Sequence, residues 1–184
     1  AIDKYEVTKA DFYKCVDVGV CGKPYDEFDP AVDWGGLAPA SDEDPSKPWP
    51  VLGTTWEQAD AYCKWVGKRL PTEAEWQYAC RAGIPGYRYG ELQDIAWFDE
   101  NSEDRLRDVA SKLPNEWGLF DMLGNVWEWC WDLYDVAEYR SYRIMRGGSW
   151  ADVARSCGAT VRRRTHPSFT FDELGFRVAR RDDR

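Results

Sequence analysis

The residues of this chain best placed to do chemistry lie between positions 117 and 131, Trp-Gly-Leu-Phe-Asp-Met-Leu-Gly-Asn-Val-Trp-Glu-Trp-Cys-Trp. Asp121 and Glu128 are carboxylates, and the Gly124-Asn125 pair between them marks a tight bend that exposes backbone carbonyls. Carboxylates and carbonyls at a bend are hard oxygen donors, the set a calcium ion prefers. Trp127, Trp129 and Trp131 alternate with Glu128 and Cys130. In an extended segment that spacing puts the indoles on one face and the carboxylate on the other. The same residues also read simply as a turn entering an aromatic core strand.

The other reactive side chains are sparse. Six cysteines show no C-x-x-C metal spacing, and His166 is the single histidine, so a His-rich zinc or iron site cannot come from this chain alone. Cys15 and Cys21 are close enough to clip a small loop, and Cys80 and Cys157 could join distant elements. Disulfides would place the protein outside the reducing cytosol, and the expectation is an extracytoplasmic or cell-surface location. The alternative is six buried thiols.

These residues must be positioned by a chain of 184 residues, enough for one domain that buries about 70% of its unfolded surface. Eleven Trp, ten Tyr and seven Phe can fill a core even where regular structure is sparse. The net charge of −9 argues against a general nucleic-acid or anionic-membrane binder. No apolar run approaches the roughly 20 residues that span a bilayer. The acid is local, at Asp26, Glu27, Asp29, Asp33, Asp42, Glu43 and Asp44, while Arg155, Arg162, Arg163 and Arg164 make the C-terminal part basic.

Three helices announce themselves by their starts. Thr8 with Asp11 caps a helix through about Val18. Thr55 with Gln58 and Thr72 with Glu75 form capping-box patterns ahead of helices that stop near Gly67 and Gly83. Strands are predicted at Arg143–Arg146 and Gly175–Ala179. Residues 22–53 and 84–116 read as long loops, the first too aromatic (Tyr25, Phe28, Trp34, Trp49) to be a disordered linker. The fold class is α+β with much ordered loop. No signal-peptide pattern is present, and the chain opens on Ile2-Asp3-Lys4-Tyr5 already inside a patterned segment, so a longer parent protein, or loss of an N-terminal strand segment, is expected.

Four strings occur in order: Lys68-Arg69-Leu70-Pro71-Thr72-Glu73-Ala74-Glu75-Trp76, then Gly118 to Trp129, then Arg146-Gly147-Gly148-Ser149-Trp150, then Gly175-Phe176-Arg177. With Tyr5-Glu6-Val7-Thr8 ahead of them, the chain resembles the formylglycine-generating enzyme (sulfatase-modifying factor) family over nearly its whole length. The resemblance implies a C-type-lectin-like fold and a structural calcium ion. By matching position its ligands would be the side chains of Asp121 and Glu128 and the carbonyls of Gly124 and Val126. The family's enzymes oxidise a substrate cysteine to formylglycine with oxygen and a copper ion held by two closely spaced cysteines after the Gly-Gly-Ser-aromatic motif; soft thiolates suit Cu(I). The corresponding stretch here, Gly147 to Cys157, holds one cysteine, and Cys157 matches a structural residue that pairs in the family with the position of Cys80. The second family disulfide lacks its partner, because Cys63 is matched but Val178 stands at the other position. No copper is expected, and formylglycine generation is not.

The expected function is therefore a non-catalytic domain binding an unidentified protein or small-molecule ligand through the loop segment between Gly-Gly-Ser-Trp and Gly-Phe-Arg. The candidate contacts are Trp150, Asp152, Arg155, Arg162, Arg164, Thr165, His166, Phe169 and Phe171, since aromatics and arginines dominate recognition hot spots. Relatives of the family include variable proteins in which a retroelement diversifies this segment. One competing reading is an oxidoreductase of other chemistry, with His166, Tyr142 and Asp172 as acid–base groups. The other is a sensor or structural domain fused to further domains. Arg162 to Arg164 also read as a plain solvated face.

Overall fold

A computed structural model describes residues 1–25 and 48–180. Phe28, Trp34 and the acidic clusters from Asp26 to Asp44 lie outside the described residues.

Local signals set the helices. Helix α1 (Lys9–Asp17) is capped by Thr8, whose hydroxyl accepts from Asp11 N at 3.1 Å. Helices α2 (Trp56–Trp65) and α3 (Glu73–Arg81) both begin with complete capping boxes, Thr55 with Gln58 and Thr72 with Glu75. In each box two N–H groups that the helix cannot satisfy find side-chain oxygens. Glu75 is also clamped by both Arg69 guanidinium nitrogens at 2.6 Å. Short helices α4 (Leu92–Ile95) and α5 (Val136–Tyr139) interrupt the loops.

The strands are β1 (Lys68–Arg69), β2 (Trp127–Leu133), β3 (Arg143–Arg146), β4 (Arg162–Thr165), β5 (Leu174–Gly175) and β6 (Ala179–Arg180). The main sheet runs β4-β3-β2-β5, antiparallel except for the parallel β2–β5 pair, and β1 pairs separately with β6. The expected strand over Gly175–Ala179 is divided. The carbonyls of Phe176 and Val178 accept from Val7 N and Asp3 N, so the N-terminal residues take the ladder positions in between.

The sheet is covered on both faces. Trp127, Trp129 and Met145 pack with Phe12 of α1 and with Trp56, Ala59, Tyr62 and Cys63 of α2. Cys130 and Ile144 pack with Trp76, Ala79 and Cys80 of α3. This is the two-residue period of a pleated strand, with a helical layer waiting on each side. It has a consequence for Glu128, which points toward α3 and is wholly buried. The indoles expected on one face separate at a register shift between Trp129 and Leu133: Trp127 and Trp129 are buried, whereas Trp131 is 42% exposed and lies 5.2 Å from Trp56.

Candidate functional site

The bend before β2 brings the expected calcium-binding residues close to a buried guanidinium. Gly124 sits at φ +74°, where a Cβ would stand 2.2 Å from Trp97 O, so the turn admits only glycine. Glu128, delivered by β2, accepts from Arg177 Nη2 on Oε1 at 2.6 Å, and from Arg177 Nε (2.7 Å) and Trp76 Nε1 (2.8 Å) on Oε2. Arg177 also donates to the carbonyls of Phe120 and Asp121, and more loosely to those of Asp3 and Lys4. Asp121 Oδ2 accepts from Ala110 N at 2.6 Å, while Oδ1 is buried without a partner. Glu6, from the N-terminal segment, accepts from Asn125 Nδ2 at 2.8 Å on Oε2, and its Oε1 is likewise buried and unpartnered.

Three carboxylates thus share a buried interior with the Arg177 guanidinium. Burial pushes the Asp121 carboxyl up to about 6, against the pull of the Ala110 N–H. Burial, and then the neighbouring Asp121 and Glu128 charges, hold Glu6 well above the usual carboxylate range. The donors are all oxygen, Asp121 Oδ1 is open, and Glu128 Oε1 has a single donor, so the residues fit a hard divalent cation. No three Asp, Glu, His or Cys side chains cluster as a metal site among the described residues. An ion here therefore depends on backbone carbonyls as well.

The cysteines divide. Cys15 and Cys21 are joined, with Cα atoms 5.3 Å apart. Cys80 and Cys157 are free, which corrects the expected bridge: the Cys80 thiol faces Met122 O at 3.8 Å, and Cys157 Sγ packs against Gly148, where a Cβ would meet it at 2.8 Å. Burial pushes both thiols up to about 12, and Cys63 and Cys130 are raised by burial as well. Such thiols are weak nucleophiles and weak ligands.

The segment from 150 to 172 separates into scaffold and surface. Trp150, Asp152 and Thr165 are buried, which corrects their place among the contact residues. Asp152 accepts from Trp127 Nε1 at 2.6 Å and Ser149 Oγ at 2.8 Å and pairs with Arg163 at 2.9 Å, so it holds the Gly-Gly-Ser turn. Arg155, Arg162, Arg164, Phe169 and Phe171 are exposed, and His166 is half-buried with Nδ1 2.7 Å from Ser168 Oγ. His166 meets the edge of the Tyr142 ring at 5.8 Å, and Asp172 uses its carbonyl toward Trp150 Nε1, so the His166, Tyr142 and Asp172 trio is not a hydrogen-bonded relay. Sequence reasoning missed Tyr134 and Tyr139, which lie under Arg162 and Arg164. It also missed the counter-charge role of Arg177, although an arginine inside the apolar run 174–179 signals a buried partner.

The family model of the sulfatase-modifying factor enzyme 1-like domain matches residues 1–182. The chain belongs to this family. Among curated relatives of the sulfatase-modifying factor domain, "Inactive C-alpha-formylglycine-generating enzyme 2" of Bos taurus is 37% identical over 151 residues, covering 71% of this chain and 50% of that protein. "Serine/threonine-protein kinase pkn1" of Chlamydia caviae is 38% identical over 148 residues, covering 71% of this chain and 24% of that protein. The chain therefore spans half or less of the length of these two relatives. Among solved structures, "Treponema denticola variable protein 1" superposes with a TM-score of 0.75 at 27% identity, over 95% of this chain and 83% of that one. The mixed helix, strand and loop architecture is that of formylglycine-generating-enzyme-like and C-type-lectin-like proteins.

Proposed function

We propose that this sulfatase-modifying factor domain is a non-catalytic binding module. It contacts a protein or small-molecule ligand through the exposed residues of the segment between Trp150 and Asp172. One observation carries the reading: the stretch after Gly147-Gly148-Ser149, where the family's enzymes place a copper-binding thiol pair, offers neither thiol of that pair, its one cysteine being the structural Cys157, buried against Gly148. The contact residues are Arg155, Arg162, Arg164, Phe169 and Phe171, with His166 beside Phe169. Support comes from relatives on the same scaffold whose names describe an inactive enzyme and a variable protein. Retroelement diversification of the segment, and fusion to further domains, belong to the same proposal. The Cys15–Cys21 bridge favours an extracytoplasmic location.

The scaffold is further proposed to hold a structural calcium ion with the Asp121 and Glu128 carboxylates and the Gly124 and Val126 carbonyls. The buried, unpartnered Asp121 Oδ1 supports this. A bound divalent ion supplies positive charge against three carboxylates that Arg177 alone does not balance. Chelation should then lower the melting temperature, and a melt unchanged by calcium or chelator refutes the ion.

The main reading is tested in two ways. Copper-loaded protein given a sulfatase-type cysteine peptide should yield no aldehyde trapped by a hydrazide, and turnover would sink it. Binders selected from a random peptide display library should weaken on Phe169→Ala and Arg155→Ala and not on Trp117→Ala, which lies outside the segment. Equal loss in all three refutes the assigned surface.

A further inference from the structure

Strand β4 is an edge. It pairs with β3 through Arg143↔Thr165, Ile144↔Arg164, Met145↔Arg163 and Arg146↔Arg162, and among the described residues no strand lies beyond it in the sheet. Apart from that ladder, no backbone N–H or carbonyl of residues 162–165 has a hydrogen bond among the described residues. A row of open donors and acceptors of this kind is a template for another extended chain.

The side chains on this edge differ from one another. Arg162 pairs with Glu73 at 2.9 Å, and Arg163 pairs with Asp152 at 2.9 Å. Arg164 has no carboxylate partner among the described residues. Its guanidinium carbon sits over Tyr139, 3.8 Å from the ring centroid, and 5.0 Å from that of Tyr134. A cation–π contact of this kind anchors the guanidinium while leaving N–H donors free to bind a planar anion. The aromatic line continues from Tyr139 to Tyr142, His166 and Phe169 with centroids 5.8 to 5.9 Å apart. Phe169, four residues beyond β4, is 56% exposed.

We propose that β4 is a docking edge: an extended acidic segment of a partner protein adds to it as a fifth strand and sets a carboxylate on Arg164. Charge selects that occupant. The arginines repel a second copy of the same strand, and a neutral strand leaves the Arg164 fork without an anion, whereas an acidic strand satisfies both the backbone row and the guanidinium. Side chains on the added strand repeat every second residue, so an acidic residue opposite Arg164 is followed two positions on by one that reaches toward His166 and Phe169. An aromatic or branched side chain fits there. This proposal rests on the binding-module reading and names the partner class for part of that surface.

The test uses fluorescein-labelled peptides titrated against the whole chain by anisotropy. The probes are a short peptide alternating Glu and Val, its Lys–Val counterpart, the Glu–Val peptide N-methylated at alternate amides, and a single-stranded DNA of equal charge. The Glu–Val peptide should bind, and the other three should not. Arg164→Glu should weaken binding at least about tenfold, the scale of one charge-assisted hydrogen bond, with Arg164→Lys intermediate. Both variants should melt within a few degrees of the parent chain, since Arg164 is exposed, makes no ion pair among the described residues, and loses at most an exposed cation–π contact. Amide exchange at residues 162–165 should slow in the bound state. Equal binding of the N-methylated peptide or the DNA means charge attraction without strand addition, and overturns the proposal. So does Glu–Val binding indifferent to Arg164→Glu, or no Glu–Val binding at all. If display-selected ligands still depend on Phe169 and Arg155 after such a result, the binding-module reading survives and only the strand-addition mode falls.

Discussion

Replacing Glu128 by alanine should be among the most damaging single changes the core can suffer. The side chain is fully buried and receives three donors, Arg177 Nε, Arg177 Nη2 and Trp76 Nε1. An exposed ion pair would contribute about 0–1 kcal/mol. Here, however, Glu128→Ala strands an arginine that has no access to water, and breaking a buried pair from one side costs about 3–5 kcal/mol. Arg177 keeps its bonds to the Phe120 and Asp121 carbonyls, which argues for the lower part of that range. At about 2–4 °C per kcal/mol for a chain of this size, the melting temperature should fall by roughly 6–20 °C. Urea unfolding gives the free energy directly, and a double-mutant cycle with Arg177→Ala isolates the pair, whose coupling should exceed about 1 kcal/mol. A loss under about 1 kcal/mol for Glu128→Ala, or a coupling near zero, refutes the assignment of this pair as the centre of the core.

Gly124→Ala should destabilise strongly, because φ of +74° and a contact 2.2 Å from Trp97 O leave no room for the methyl group; a melt within a few degrees of the parent contradicts the turn geometry. Native protein at pH 8 should resist iodoacetamide at Cys63, Cys80, Cys130 and Cys157, all buried and raised by burial, and all four should label after unfolding without reductant; mass spectrometry counts the labels. Glu75 is held down to about 2, first by the Arg69 hydrogen bonds. A depressed folded-state value means that its stabilisation is present above the ordinary value of 4.5 and lost as pH falls toward about 2. The acid limb of the stability curve should therefore be shallower in Glu75→Gln, and identical limbs would remove Glu75 from that account.

Much of the fold was legible because its signals are local. The Thr8, Thr55 and Thr72 caps act within three residues of themselves, and the helices begin where they direct. The alternation of Trp127, Glu128 and Trp129 also held. Its meaning changed, however, because α3 covers the face that the carboxylate occupies. The candidate site was legible only in part. Asp121 and Glu128 were marked by the bend, yet the guanidinium that answers Glu128 lies 49 residues further on, and Glu6 enters from the opposite end of the chain. Strand β4 was hidden for a different reason. Arg162, Arg163 and Arg164 have no periodic apolar signal, and pairing with β3 makes the strand rather than propensity. Trp150, Asp152 and Thr165 were placed on the surface by residue type, whereas Asp152 is buried as the acceptor of the Trp127 N–H and the counter-charge of Arg163.

The grip of Arg177 also bears on how the chain folds. It joins carbonyls of Asp3 and Lys4, carbonyls of Phe120 and Asp121, and the Glu128 carboxylate, while Ile2 pairs with Ala179. A chain emerging from the ribosome cannot close that centre until its last described strands have been made. Contacts of such long sequence separation slow folding, because the loops must close before the pairing rewards them. Until then Glu128 lacks the Arg177 guanidinium and β2 lacks its β5 neighbour, which makes the late arrival of residues 174–180 the step at which aggregation competes with folding.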